Sequence, residues 1–337
     1  MSEVQTTSPI SGVLPWQQAQ WRQLGDALAQ GKLPHALLIA GPAGTGKERF
    51  ALALARLLLC HSPAEGLNCG QCKGCELSRS GAHGDFRWLQ PEEGSRQLKI
   101  VQVRAAIEFT TRTASYGKRK VLVFSPAEAM NVSSANALLK SLEEPPADTH
   151  ILLVCHRLQG LPATVRSRCQ RLWFPVPQEA DSASWLASHC GGEALAEQLL
   201  RLTGGRPLAA ESLVAGDMAE SRLGQQAVLV ALAEGRVNLA ELRKALSDID
   251  VEPLLSLLTE SAQAALRSQD TSRLRSDAGR SVFELLDDLQ RVLQGLRQGS
   301  NPNREILSDA MLERFGEVLG GLQRSGTMQR TTGDVGP

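Results

Sequence analysis

Two clusters of residues in this chain have the types and spacing to do chemistry. The first is Gly41-Pro42-Ala43-Gly44-Thr45-Gly46-Lys47. Glycines at this spacing let successive backbone N–H groups turn toward a phosphate, and a lysine at the end of the loop reaches its terminal oxygens. The apolar run 35–40 precedes the loop and helix-forming residues 47–59 follow it. Strand, Gly-rich turn and helix thus come in the order that adds the positive end of a helix to the phosphate site. Gly41, Pro42, Gly44, Thr45, Gly46 and Lys47 are the candidate nucleotide-binding residues; the competing reading is an ordinary Gly-rich turn. The second cluster is Cys60, Cys69, Cys72 and Cys75, spaced C-x8-C-x2-C-x2-C. Four thiolates suit a tetrahedral Zn2+, and with all four positions filled the metal would be structural. A redox dithiol and an iron–sulfur cluster are the alternatives.

The phosphate loop lacks the groups that normally accompany it. Nucleotide-hydrolysing loops place Ser or Thr directly after the lysine, where the hydroxyl ligates Mg2+. This chain has Glu48, whose longer side chain reaches elsewhere and repels phosphate. A working site also needs acids at the end of a neighbouring strand. The run 120–124 (KVLVF) ends instead in Ser125-Pro126, and Glu128 is expected on a surface turn. The reading is a phosphate cradle without a magnesium grip; Lys47 leaves ATP or ADP binding open.

The rest of the chain positions these groups. Segment 16–30 reads as a helix stopped by Gly31, 101–111 and 133–142 as further helices, and 120–124, 151–154 and 172–174 as short buried strands. Alternating strands and helices imply a parallel sheet flanked by helices, an α/β P-loop module. After Pro177 the pattern is helical, over roughly 178–189, 193–203, 207–214, 219–234, 238–247, 252–268, 278–297 and 304–322. The partition is a loose N-terminus at 1–14, the α/β domain at 15–174 with its cysteine module at 60–75, a small helical domain at 175–216, a larger helical domain at 217–324, and a flexible tail at 325–337.

Bulk properties narrow the function. Lys plus Arg and Asp plus Glu number 36 each. A free-standing DNA binder carries a basic excess, so strong DNA binding by the isolated chain is disfavoured. That weighs against a stand-alone nucleic-acid-binding zinc module. Lys118-Arg119-Lys120 reads as a solvated loop. The five tryptophans are too scattered for a base-stacking platform and read as core packing. No apolar run approaches the ~20 residues that span a bilayer, the N-terminus lacks a secretory layout, and clustered cysteines fit a reducing compartment; a cytoplasmic chain is expected.

Two further segments carry a resemblance. Asn136-Ala-Leu-Leu-Lys-Ser-Leu-Glu-Glu-Pro-Pro146 and Leu161-Pro-Ala-Thr-Val-Arg-Ser-Arg-Cys169 are similar to two signatures of the AAA+ clamp-loader subunits of bacterial DNA polymerase III. The cysteine module after the P-loop helix is also typical of that family. The resemblance covers residues from about Pro15 to Pro177. It implies an AAA+ module, a helical lid and an all-α collar joining five subunits in a ring. It implies gamma/tau and delta subunits as partners, and a complex that opens the sliding clamp and sets it on primer-template DNA. The assembly would belong to a DNA-directed DNA polymerase, a nucleotidyltransferase, without giving this chain that chemistry. Motor subunits of the gamma/tau type keep a full P-loop and an Asp-Glu pair. A second kind has a degraded nucleotide site, and this sequence fits the second kind. An active motor using Lys47, with Glu48 as an unusual metal ligand, is the alternative.

By the same resemblance Arg168 projects into the neighbouring subunit's ATP site as an arginine finger; the plain reading is a surface arginine at a helix end. Cys169 would pack beneath it, while Cys155 and Cys190 read as small semi-buried residues. The family's lid arginine usually follows a Gly-Ser-x pattern. Here Gly204-Gly205-Arg206-Pro207 sets Arg206 one position early.

Overall fold

The computed structural model describes residues 8–117, 119–247, 249–297 and 300–330. They form two compact units. One holds the residues up to Trp185 together with Arg206–Ala209; the other holds Leu186–Gly205 and the residues from Ala210 onward. Segment 175–216 contributes to both.

The first unit is built on five parallel strands: β1 (Ala36–Ala40), β2 (Phe86–Leu89), β3 (Lys120–Phe124), β4 (Thr149–Cys155) and β5 (Gln170–Trp173), in spatial order β2-β3-β4-β1-β5. Strands β1, β3 and β4 are buried along their whole length. Such strands read as unbroken apolar runs, because helices cover both faces of a parallel sheet. Those helices are α1 (Gln18–Ala29), α2 (Lys47–Leu59), α3 (Lys73–Arg79), α4 (Ile100–Thr111), α5 (Val132–Glu143) and α6 (Ala163–Arg166). One core face joins Leu38, Leu122, Phe124 and Leu153 to Leu138 and Val103; the other joins Ile39, Val123 and Val154 to Phe50, Leu54 and Leu58. Both faces contain Leu, Val, Ile and Phe at near-zero exposure, which fixes the register of every strand.

Helices α7 (Glu179–Cys190), α8 (Glu193–Leu202) and α9 (Pro207–Ala215) follow, the boundary between units falling within α7 and again within α9. The second unit continues through α10 (Ala219–Ala233), α11 (Leu239–Ala245), α12 (Val251–Arg267), α13 (Thr271–Leu274), α14 (Asp277–Arg297) and α15 (Arg304–Arg330). Among its described residues it is wholly helical. Its core sets Leu254, Leu255 and Leu258 of α12 against Leu285 and Leu289 of α14 and Phe315 of α15.

The structure departs from the sequence reading at several points. Strand β2 and helices α3 and α13 were not anticipated. Helix α15 continues to Arg330, past the expected start of the tail, because nothing between Leu322 and Arg330 forces a helix to stop. Residues 331–337 of that tail, and 1–7 of the expected loose N-terminus, lie outside the described residues. Residues 9–14 of the same N-terminus are held by buried partners instead of being loose, because Ser11 and Pro9 are hydrogen-bonded to Asn68. Lys120 is buried, its ammonium donating to the Phe109 carbonyl at 2.7 Å and lying 4.8 Å from that ring, so it is not part of a solvated basic loop. Its neighbour Lys118 lies outside the described residues. Trp173 is half exposed rather than packed in a core. Among the described residues no helix is long and apolar enough to cross a membrane.

Burial lowers the pKa of His83, His150 and His156, that of His156 to about 3. Each binds its proton more readily in the unfolded chain, near the ordinary 6.5. Stability is therefore whole above that value and falls as pH drops from about 6.5 toward 3. Denaturant midpoints at pH 7.5 and 5.0 check this: the midpoint should fall on acidification, and by less in His156→Gln. An equal fall in the variant would remove His156 from the account.

Candidate functional site

The C-terminal ends of β1, β4 and β3 lie side by side, with Ala40 level with Cys155 and Phe124 level with Leu153. Three chain segments leave the sheet there: the Gly-rich loop after β1, His156 after β4, and Ser125 after β3. In open α/β sheets this edge is where ligands bind.

Gly46 holds φ at 86°, the left-handed backbone that favours glycine, and the first turn of α2 begins directly after it. The loop is enclosed from outside. Trp16 and Gln17 donate side-chain N–H groups to the Thr45 carbonyl at 3.0 and 3.1 Å. The Leu208 amide donates to the Gly44 carbonyl at 3.0 Å. A methyl group on Gly44 would sit 2.9 Å from Ala209 Cβ and 3.3 Å from Arg206 Cβ, so α9 begins hard against the loop with the stem of Arg206 beside it. The Lys47 side chain is 2% exposed, and its ammonium donates to the Pro42 carbonyl within its own loop. The cavity left among Gly44, Gly46, Lys47, Glu48, Arg49, His156 and Leu208 is about 20 Å3, room for about one water molecule.

Glu48 points along the sheet edge. Its carboxylate accepts the Ser125 hydroxyl at 2.5 Å and lies 3.8 Å from His156 Nε2. Burial, followed by the charges of Lys47 and Arg157, keeps His156 neutral, so that second contact is not an ion pair. Glu128 is not on a surface turn. Its side chain is 4% exposed, both carboxylate oxygens accept the His156 amide at 3.1 Å, and Arg157 Nε lies 4.0 Å away. The turn Ala127–Ala129 folds back over the end of β4, which turns Glu128 inward to hold the backbone. Cys155, beneath it, is pushed up to about 12 by burial and then by Glu128, an inert thiol. The residues present do not fit a magnesium–nucleotide group: one candidate ligand is bound to another, and the lysine is bound to its own loop.

The four clustered cysteines do fit a metal. Their sulfurs all lie within 4.8 Å of one another, with Cys60–Cys72 at 3.8 Å and Cys69–Cys75 at 3.9 Å. Bonds of about 2.3 Å from a tetrahedral centre require sulfurs about 3.8 Å apart. Backbone amides point at the sulfurs: His61 N at 3.4 Å from Cys72, Cys69 N at 3.3 Å from Cys60, and Cys72 N at 3.4 Å from Cys69. The backbone N–H of Gln71, then that of Cys72, draw Cys69 down to about 6, while burial pushes Cys60 up to about 12 and raises Cys75; a bound metal would take all four as thiolates. The arrangement could hold zinc.

Asn68, from the same module, ties it to the N-terminal segment. It is 2% exposed, accepts the Ser11 amide at 2.8 Å, and donates to the Pro9 carbonyl at 2.9 Å and to Cys75 Sγ at 3.5 Å. Arg56 of α2 donates to the Ser11 hydroxyl at 2.7 Å. This strap leads into Leu14, Trp16 and Gln17, which pack on the phosphate loop. Sequence reading found the loop, Glu48, Ser125 and the cysteines, and missed Asn68, Gln17 and His156, each of which has a partner distant in the chain.

Arg168 follows α6. Its Nε donates to Glu143 Oε1 at 2.6 Å, its NH2 reaches the same carboxylate, and its NH1 donates to the Thr164 carbonyl at 2.9 Å. Cys169 beside it is pushed up to about 12 by burial. Arg168 and the phosphate loop are separate features of the unit, with separate partners.

A family model described as DNA polymerase III, delta subunit, matches residues 16–178. The DNA polymerase III subunit delta' of Pseudomonas aeruginosa is 36% identical over 92% of this chain and 99% of that one. Its counterpart in Escherichia coli is 37% identical over 62% of this chain and 63% of that one. The solved structure of a DNA polymerase III gamma subunit-related protein from Thermotoga maritima covers 89% of this chain and 99% of that one, with a TM-score of 0.55 and 19% identity, a likeness of fold.

Replacing Asn68 by Ala should cost about 1–3 kcal/mol, since buried hydrogen-bonding groups at Pro9, Ser11 and Arg56 lose their arrangement. Amide exchange at residues 10–14 should quicken. Unchanged exchange there would show that Asn68 does not hold the strap.

Proposed function

The chain belongs to the DNA polymerase III delta' family, and from that premise we propose that it serves in the clamp loader as a subunit with the architecture of a nucleotide-driven motor and without its chemistry. The hydrogen bond between Ser125 and Glu48 carries this reading. In hydrolysing P-loop proteins the residue after the lysine and an acid on a neighbouring strand hold Mg2+ jointly. Here Glu48 and Ser125 occupy those two sequence positions and satisfy each other. Without a metal-held γ-phosphate the main source of charge stabilisation for phosphoryl transfer is missing.

The chain then acts through a neighbour. Arg168 is the residue proposed to do so, as an arginine finger in the ATP site of an adjacent gamma/tau subunit. Its planar guanidinium carries a permanent charge and can grip a phosphate with two N–H groups. The proposed partners are the gamma/tau and delta subunits in a five-membered ring, with the sliding clamp and primer-template DNA met through the complex, in the cytoplasm. The proposed division is an AAA+ module at 15–174, a lid at 175–216 and a collar at 217–324. Cys60, Cys69, Cys72 and Cys75 hold one structural zinc; when bound, it would cross-link the module that anchors Asn68 and the strap. Gly41, Pro42, Gly44, Thr45, Gly46 and Lys47 are a degenerate nucleotide loop.

The clamp loader reconstituted from its purified subunits tests the reading. With Arg168→Ala in this chain, DNA-stimulated ATP turnover at the neighbouring site should fall by at least about tenfold, with the ring still assembled. With Lys47→Ala in this chain, turnover should stay the same. Loss of turnover from Lys47→Ala would instead support the gamma/tau-type motor. Metal analysis should find about one zinc per chain; none, or an iron chromophore, would refute that assignment.

A further inference from the structure

We infer that Glu143 is the positioning residue of Arg168, the group that sets the direction of the finger before a neighbour is met. The inference rests on the finger reading above and adds a residue to it.

An arginine side chain has four rotatable bonds and loses rotamer entropy when it is fixed. A finger that is loose in the free subunit must lose that freedom at the moment of docking, which weakens its effect. In this chain the loss is already met. Glu143 takes the Nε of Arg168 at 2.6 Å and its NH2 on the same carboxylate oxygen, while the Thr164 carbonyl takes NH1 at 2.9 Å. These contacts tie the guanidinium to α5 on one side and to α6 on the other.

The anchor for the carboxylate is itself fixed by the sequence. Glu143 is the last residue of α5, and Pro145-Pro146 prevent the helix from continuing. The chain-end position of Glu143 is therefore set by where the prolines stop the helix, and the opposite face of α5 is buried through Leu138 and Leu142. The Arg168 side chain is 33% exposed and that of Glu143 is 49% exposed. An ion pair this open adds little to folding stability, so its consequence is geometric. Unlike Glu48, which faces Ser125 inside the unit, Glu143 faces the one arginine that the function sends outward.

A double-mutant cycle in the reconstituted clamp loader tests this. Glu143→Ala in this chain should lower kcat of the DNA-stimulated ATPase roughly three- to tenfold, with KM for ATP changed less than about twofold. Glu143→Gln keeps an acceptor for the Nε hydrogen and should recover a large part of the loss. The melting temperature of the free Glu143→Ala chain should stay within about 2 °C of the parent. In an Arg168→Ala background, Glu143→Ala should cause no further loss, because the two act as one unit. If Arg168→Ala lowers turnover and Glu143→Ala does not, or raises it, the positioning role is overturned while the finger stands. If Arg168→Ala itself has no effect, the finger reading fails instead. An additive loss in the double variant would also overturn the inference, by showing that Glu143 acts through something other than Arg168.

Discussion

A carboxylate and a hydroxyl that should face a metal ion face each other, and much of the chemistry of the first unit follows from that bond. Glu48 is carried by the first turn of α2, which begins at Gly46 because the loop must turn there through a left-handed φ. Ser125 is delivered by β3, two strands away from β1 in the sheet. Any protein with this topology brings these two positions together; in this one the carboxylate stands on the helix side and the hydroxyl on the strand side. The Ser125 hydroxyl donates to the Glu48 carboxylate, so the pair carries one negative charge, whereas two acids at the same spot would bring two like charges together and call for a cation.

The surrounding groups reinforce the closure. Lys47 donates to its own loop, neutral His156 adds no charge, and α9 starts against Gly44. The loop is gripped from the other side by Trp16 and Gln17, at the end of a strap that Asn68 holds beside the cysteine cluster. The glycine loop thus serves as a packing element. It keeps the shape of a phosphate cradle because the helices around it have been fitted to that shape, and changing the shape would disturb β1, α1, α2 and α9 together.

Much of this was legible in the sequence, for physical reasons. Buried parallel strands read as apolar runs, so β1, β3 and β4 stood out. Helix α2 was visible in full because helix-forming residues run unbroken from Lys47 to Leu59 after the glycine loop. Strand β2 was not, since Phe86-Arg87-Trp88-Leu89 is a four-residue edge strand with a charge inside it. Helix α3 is seven residues long and hidden among the cysteines. The N-terminal segment looked loose because Ser8-Pro9-Ile10-Ser11-Gly12 carries no periodicity; its order comes from Asn68, 57 positions from Ser11. Glu128 looked exposed because the sequence does not tell which way a turn folds. Glu143 lies 25 positions from Arg168, and only the packing of α5 on α6 brings them together. Spacing revealed the groups that act as local clusters, and was silent where the partners meet through the fold.

On the proposed reading, the phosphate loop of this chain does not hold a metal–nucleotide complex capable of reaction. Electron paramagnetic resonance with Mn2+ in place of Mg2+, titrated with a non-hydrolysable ATP analogue into the purified chain, tests it most directly. The spectrum should remain that of free Mn2+–nucleotide, in the parent chain and in Lys47→Ala alike. A protein-bound Mn2+ signal that is lost in Lys47→Ala or Glu48→Gln would contradict it.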